Sequence, residues 1–131
     1  MASKVITPKN APPPLAPYSP GILAAGFVFV SGTLPMDKHG NPVGQGDVRV
    51  QTRAVLESIK EVLEAAGGTL ADVVFNQIFI KDLADYKAMN EVYGEYFSKT
   101  PPARYCIRAD LVKPEFLVEI VTTAYLGENH R

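Results

Sequence analysis

Apolar residues recur along this chain with two different periods. Val48, Val55, Ile59, Val62, Leu63 and Ala66 fall at helical spacing with charged residues between them. Asp47 can cap that helix and Gly67-Gly68 can stop it. A second helix is expected from Asp82 or Asp85 to about Phe97, with Tyr86, Met89, Val92, Tyr93, Tyr96 and Phe97 as its apolar or aromatic positions. Strands are expected from the β-branched and aromatic runs Gly26–Gly32, Val73–Lys81, Ala103–Ala109 and Leu117–Leu126. Asp37–Asn41 is a turn with His39 as a loop residue, and a hairpin partner is expected around it.

The resulting order, β-β-α-β-α-β-β, is that of an α+β protein with two helices on one sheet. Strict alternation along the third strand puts Val73, Phe75 and Phe79 on one face and Val74, Ile78 and Ile80 on the other. Two helices can cover only one face of such a sheet. A second copy of the chain is the economical cover for the other, so a homo-oligomer is expected.

The first 20 residues read differently. Six prolines lie between Pro8 and Pro20, which removes backbone donors and excludes a helix interior or central strand. They predict an extended arm over the surface, which is either a plain linker or a means of delivering Tyr18 and Ser19 to a site.

Composition then narrows the possibilities. The 131 residues suit one domain spanning 1–131, and 47% hydrophobic residues suffice for a core. A net charge of −1 and the lack of a basic, aromatic-studded patch count against nucleic acid and against a polybasic membrane anchor. No stretch approaches the roughly 20 apolar residues of a membrane span. The single cysteine allows no intrachain disulfide and suggests a reducing compartment; with no apolar leader, the expected location is cytoplasmic.

Phosphate-binding glycine loops are missing from the sequence, and Gly67-Gly68-Thr69 ends a helix rather than opening one. His39 and His130 stand alone, and Cys106 has no ligand partner at metal spacing, so no metal is expected. A lone strand cysteine is more often a small buried residue than a nucleophile. The last two strands carry more. Arg104, Cys106 and Arg108 share a nominal face, and Glu119 is the lone charge of an apolar strand. Arginine offers a planar fork to a carboxylate. A glutamate in apolar surroundings has a raised pKa and can handle a proton or orient a water. The competing reading is a salt bridge between Arg104 and Glu119, or a Glu119 that faces water at an edge.

A set of motifs running through nearly the whole chain resembles the Rid family of reactive-intermediate imine deaminases, also called YjgF/UK114. The motifs are Pro17-Tyr18-Ser19-Pro20-Gly21, Val30-Ser31-Gly32-Thr33-Leu34-Pro35, Asn90-Glu-Val-Tyr93, Pro102-Ala103-Arg104-Tyr105-Cys106 and Val118-Glu119-Ile120. Further segments, among them Gln51-Thr52-Arg53, Phe75-Asn76-Gln77-Ile78-Phe79-Ile80 and Leu111-Val112-Lys113-Pro114, resemble the RutC branch, whose members are assigned as 3-aminoacrylate deaminases.

The resemblance implies a chorismate-mutase-like fold, a homotrimer with sites between subunits, and no cofactor. It implies that Arg104 clamps a substrate carboxylate and that the backbone of Cys106 lies against the reacting nitrogen. Glu119 would orient or activate water, Tyr18 would close the pocket from the proline arm, and Ser31 and Asn90 would line or support it. The implied substrate is 3-aminoacrylate, a step in pyrimidine breakdown. The alternatives are 2-aminoacrylate and a non-catalytic role in binding a small metabolite.

Overall fold

Helix α1, Val48–Ala65, begins where the side chain of Asp47 accepts hydrogen bonds from the backbone N–H groups of Arg49 and Val50. It ends where Gly67 takes φ +91°, which lets the Gly68 N–H reach the Leu63 carbonyl at 2.8 Å. Between these caps Val55, Leu56, Ile59 and Leu63 are fully buried. The computed structural model describes residues 3–127; His130 lies outside the described residues.

Among the described residues six strands form one sheet: β1 (Lys4–Ile6), β2 (Gly21–Ala24), β3 (Phe27–Thr33), β4 (Val73–Ile80), β5 (Ala103–Arg108) and β6 (Val118–Tyr125). Their spatial order is β1-β2-β3-β6-β4-β5. β4 and β5 are parallel, joined through helix α2 (Tyr86–Phe97), and the other pairings are antiparallel. Val28, Val30, Ile78, Ile80, Val118, Ile120 and Ala124 point to the helix side, where they meet α1 and Met89, Tyr93 and Phe97 of α2. This is the expected α+β arrangement.

Three expectations need correction. The hairpin before α1 is β2–β3, closed at Ala25 (φ 52°) and Gly26 (φ 83°), not one around Asp37–Asn41. That turn forms through Asp37 Oδ1, which accepts from the His39 and Asn41 amides, but its flanks meet only at a single Met36–Pro42 bridge. Pro35 and Pro42 supply no N–H, so a ladder cannot grow there.

The proline-rich arm also contains a strand, β1, ahead of its first proline, and buries Ile6. Finally, a register shift between Val73 and Phe75 breaks the alternation of β4. Val73 therefore joins Asn76, Ile78 and Ile80 in facing the helices, while Val74 is exposed on the other side.

That other side carries no helix among the described residues. Phe27, Phe29, Val74, Tyr105, Ile107 and Tyr125 are exposed along it, and Tyr105 packs edge-on against Phe75 and Phe79.

Candidate functional site

Arg104 lies on the helix side of β5. Its guanidinium carbon sits 4.7 Å from the centroid of the Tyr93 ring, a cation–π arrangement. Its Nη2 donates to Asn90 Oδ1 at 2.7 Å and to the Tyr86 hydroxyl at 3.1 Å. Tyr86, Asn90 and Tyr93 stand at i, i+4 and i+7 of α2, so one helix face meets one strand residue. The Asn90 amide orientation follows from this bond, since only its oxygen can accept.

Both arginine forks that could grip a carboxylate with two parallel bonds use an Nη2 hydrogen. Both of these hydrogens already have protein acceptors. Among the described residues, the donors left to a ligand are those of Nη1 and Nε.

Tyr93 is itself held from below. Its hydroxyl accepts from Asn76 Nδ2 at 3.0 Å, and Asn76 Oδ1 accepts from the Thr122 hydroxyl at 2.6 Å. Asn76 and Thr122 are buried. This polar chain crosses β6, β4 and α2 and ends under the guanidinium. Cys106 is two residues from Arg104 on the same face, and its thiol side packs against the core. Burial pushes the thiol pKa up against the opposing effect of the Arg104 charge, which makes the thiolate scarce. Arg108 is exposed at the end of β5.

Glu119 lies on the opposite face. It pairs in register with Phe79 of β4, whereas Cys106 pairs with Ile78, which points to the helices. The strand geometry therefore excludes an Arg104–Glu119 ion pair within one chain. Burial raises the pKa of the Glu119 carboxyl. The carboxylate packs onto Gly32, where a Cβ would land on Glu119 Oε2. Glycine at 32 is a matter of close approach.

Around Glu119 lies an open cavity of about 490 Å³ lined by Leu15, Ala16, Tyr18, Ser31, Gly32, Leu34 and Val112. The proline arm forms one wall. It is pinned at its end: the Ser31 N–H donates to the Pro20 carbonyl at 3.0 Å, and the Ser31 hydroxyl donates to the Ser19 carbonyl at 2.5 Å. The connection leading into β6 is pinned by the buried Gln51, whose amide donates to the Glu115 carbonyl and accepts from the Leu117 N–H.

The six candidate residues thus fall into two groups. Tyr18, Ser31 and Glu119 meet at the cavity; Arg104, Asn90 and Cys106 meet on the helix side. The sequence reading missed Tyr86, Tyr93 and Gly32. By spacing alone the first two read as apolar positions of α2; the signal for their role is that their hydroxyls share a face with Asn90. Among the described residues, no three His, Cys, Asp or Glu side chains are grouped to hold a metal ion, and no helix is long and apolar enough to cross a membrane.

Comparison with known proteins adds a context for this geometry. A family model described as endoribonuclease L-PSP matches residues 8–126. YyfA from Yersinia pestis, a Rid-family protein of unknown function, is 36% identical over 95% of this chain and 99% of its own, with a TM-score of 0.87. E. coli TdcF, solved with bound serine, is 32% identical over 95% of this chain and 99% of its own, also with a TM-score of 0.87. The E. coli YjgF gene product is 31% identical over 93% and 98% of the two chains, with a TM-score of 0.85.

Proposed function

We propose, from the premise that this chain belongs to the endoribonuclease L-PSP family that includes the YjgF and Rid proteins, that it is a deaminase of a small enamine or imine carrying a carboxylate. The observation that carries this reading is Glu119. It is a half-buried carboxylate of weakened acidity, set in a cavity with two hydroxyl-bearing residues, Tyr18 and Ser31. Arg104, backed by Tyr93 and Asn90, supplies the positive charge that a carboxylate needs. TdcF, solved with bound serine, supports a carboxylate-bearing ligand for this fold.

Because the two charges lie on opposite faces of one sheet, a site containing both is built from two chains. The open face, with its exposed Phe29, Ile107 and Tyr125, offers the apolar surface for that contact. The family resemblance points to a trimer with three such sites.

The substrate we infer is 3-aminoacrylate. Its enamine tautomerises to the imine by moving the nitrogen proton to carbon. Water oriented by ionised Glu119 adds its oxygen to the C=N carbon and its proton to nitrogen. The carbinolamine then breaks its C–N bond, giving ammonia and malonic semialdehyde, with the hydroxyl proton leaving on nitrogen. Such imines hydrolyse unaided, so positioning and charge placement supply the acceleration required.

The test measures ammonia release from freshly generated 3-aminoacrylate and 2-aminoacrylate, against the uncatalysed rate. Faster release from the first, abolished in Arg104→Ala, supports the reading. A preference for 2-aminoacrylate moves the substrate to the chemistry that yields pyruvate. Binding of a small carboxylate with no acceleration from either substrate leaves a metabolite-binding role instead.

A further inference from the structure

We propose that Tyr86 is a second anchor for the substrate's carboxylate, donating its phenolic O–H to an oxygen that Arg104 holds. This deepens the reading above and rests on Arg104 as the carboxylate-binding group.

The Nη2 group of Arg104 has two hydrogens, and both are engaged, by Asn90 Oδ1 and by the Tyr86 oxygen. An incoming carboxylate therefore meets single donors on Nη1 or Nε rather than a two-pronged fork. Tyr86 enters this arrangement as an acceptor. A phenol that accepts from a guanidinium still has its own proton to give, and among the described residues the Tyr86 hydroxyl has no acceptor for it.

The guanidinium carbon lies 5.9 Å from the Tyr86 ring centroid and 4.7 Å from that of Tyr93, so both rings lie against the charge and the Tyr86 phenol is next to it. Tyr86 is 44% exposed, which leaves it open to a ligand. Arg104 thus polarises the phenol, and one carboxylate can take an N–H from the arginine and an O–H from the tyrosine. A carboxamide or ester lacks the charge that rewards both donors, so the pair selects for an ionised acid.

The experiment is ligand titration by NMR with propionate and its uncharged counterpart propionamide, on the parent chain, Tyr86→Phe and Arg104→Ala. The expected result is that Tyr86→Phe weakens propionate binding about tenfold or more, as loss of a hydrogen bond to a charged group does, and leaves propionamide unchanged. Propionate binding that is unchanged or tighter in Tyr86→Phe, with binding lost in Arg104→Ala, overturns the role of Tyr86 alone. Unchanged binding in both variants overturns the arginine clamp together with it. Removing one exposed hydroxyl leaves the core untouched in Tyr86→Phe, and circular dichroism checks that the loss in Arg104→Ala comes from a folded chain.

Discussion

The carboxylate of Glu119 lies directly over the backbone of Gly32, so close that no other residue fits at position 32 without moving it. Gly32 is not in the left-handed backbone region, so alanine there is tolerated by the chain itself. The strain falls on the carboxylate. Gly32→Ala is expected to keep the parental thermal midpoint within a few degrees and to lower ammonia release on the order of a hundredfold, the cost of misplacing a reacting group by about an ångström. Circular dichroism and the deaminase assay check the two halves separately.

Glu119 also sets a pH dependence. Burial raises its pKa, so the folded chain holds this proton more tightly than the unfolded chain. Stability from this group therefore falls as pH rises from the ordinary glutamate value through the raised one. Glu119→Gln should melt higher than the parent at neutral pH, and the gap should close below about pH 4, where both states are protonated. Activity runs the other way. In the proposed reaction it is the ionised form that orients water, so ammonia release should decline as pH falls through the raised pKa, and Glu119→Gln should lack that limb at a much reduced rate.

The placement of Arg104 and Glu119 on opposite faces predicts complementation. Arg104→Ala and Glu119→Ala should each be inactive. Co-refolded in equal amounts, they should recover about one quarter of parental activity, since a site drawing its arginine from one chain and its glutamate from the next is intact in that fraction of random pairings. An inactive mixture of properly associated chains would show that both groups act within one copy.

The buried run Thr122–Asn76–Tyr93 should be costly to break. Asn76→Ala leaves two buried hydroxyls short of a partner and opens a cavity, which is expected to lower stability by about 2–4 kcal/mol in urea denaturation. Tyr93→Phe removes one bond of the run and keeps the ring under Arg104. It leaves the buried Asn76 amide N–H without that acceptor, so it should cost about 1–3 kcal/mol, and it should spare ammonia release.

Much of the fold was legible in the sequence because helices and long strands carry periodic patterns. The Asp47 cap and the Gly67-Gly68 stop bounded α1 to within a residue or two. The β2–β3 hairpin was not legible because its turn is Ala25-Gly26, without the Asn-Gly or Asp-Gly signal that marks such turns. The strand β1 was hidden by its length, three residues before a proline tract. In β4 the bulge defeated simple alternation, since it reassigns Val73 and Val74 without changing composition.

The candidate site was legible as residue types but not as an arrangement. Glu119 stood out as the lone charge of an apolar strand, and Arg104 as a planar fork suited to a carboxylate. Their separation by the thickness of the sheet depends on the register of three strands, which one-dimensional patterns do not encode. Tyr86 and Tyr93 were legible only as aromatics of an amphipathic helix, because a hydroxyl's partner is set by packing.

A site shared between two copies, as proposed, would make turnover sensitive to the protein's own abundance. Diluted below the concentration at which copies associate, the chain would keep its fold and lose its turnover, with no inhibitor present. Specific activity should then rise with protein concentration before reaching a plateau.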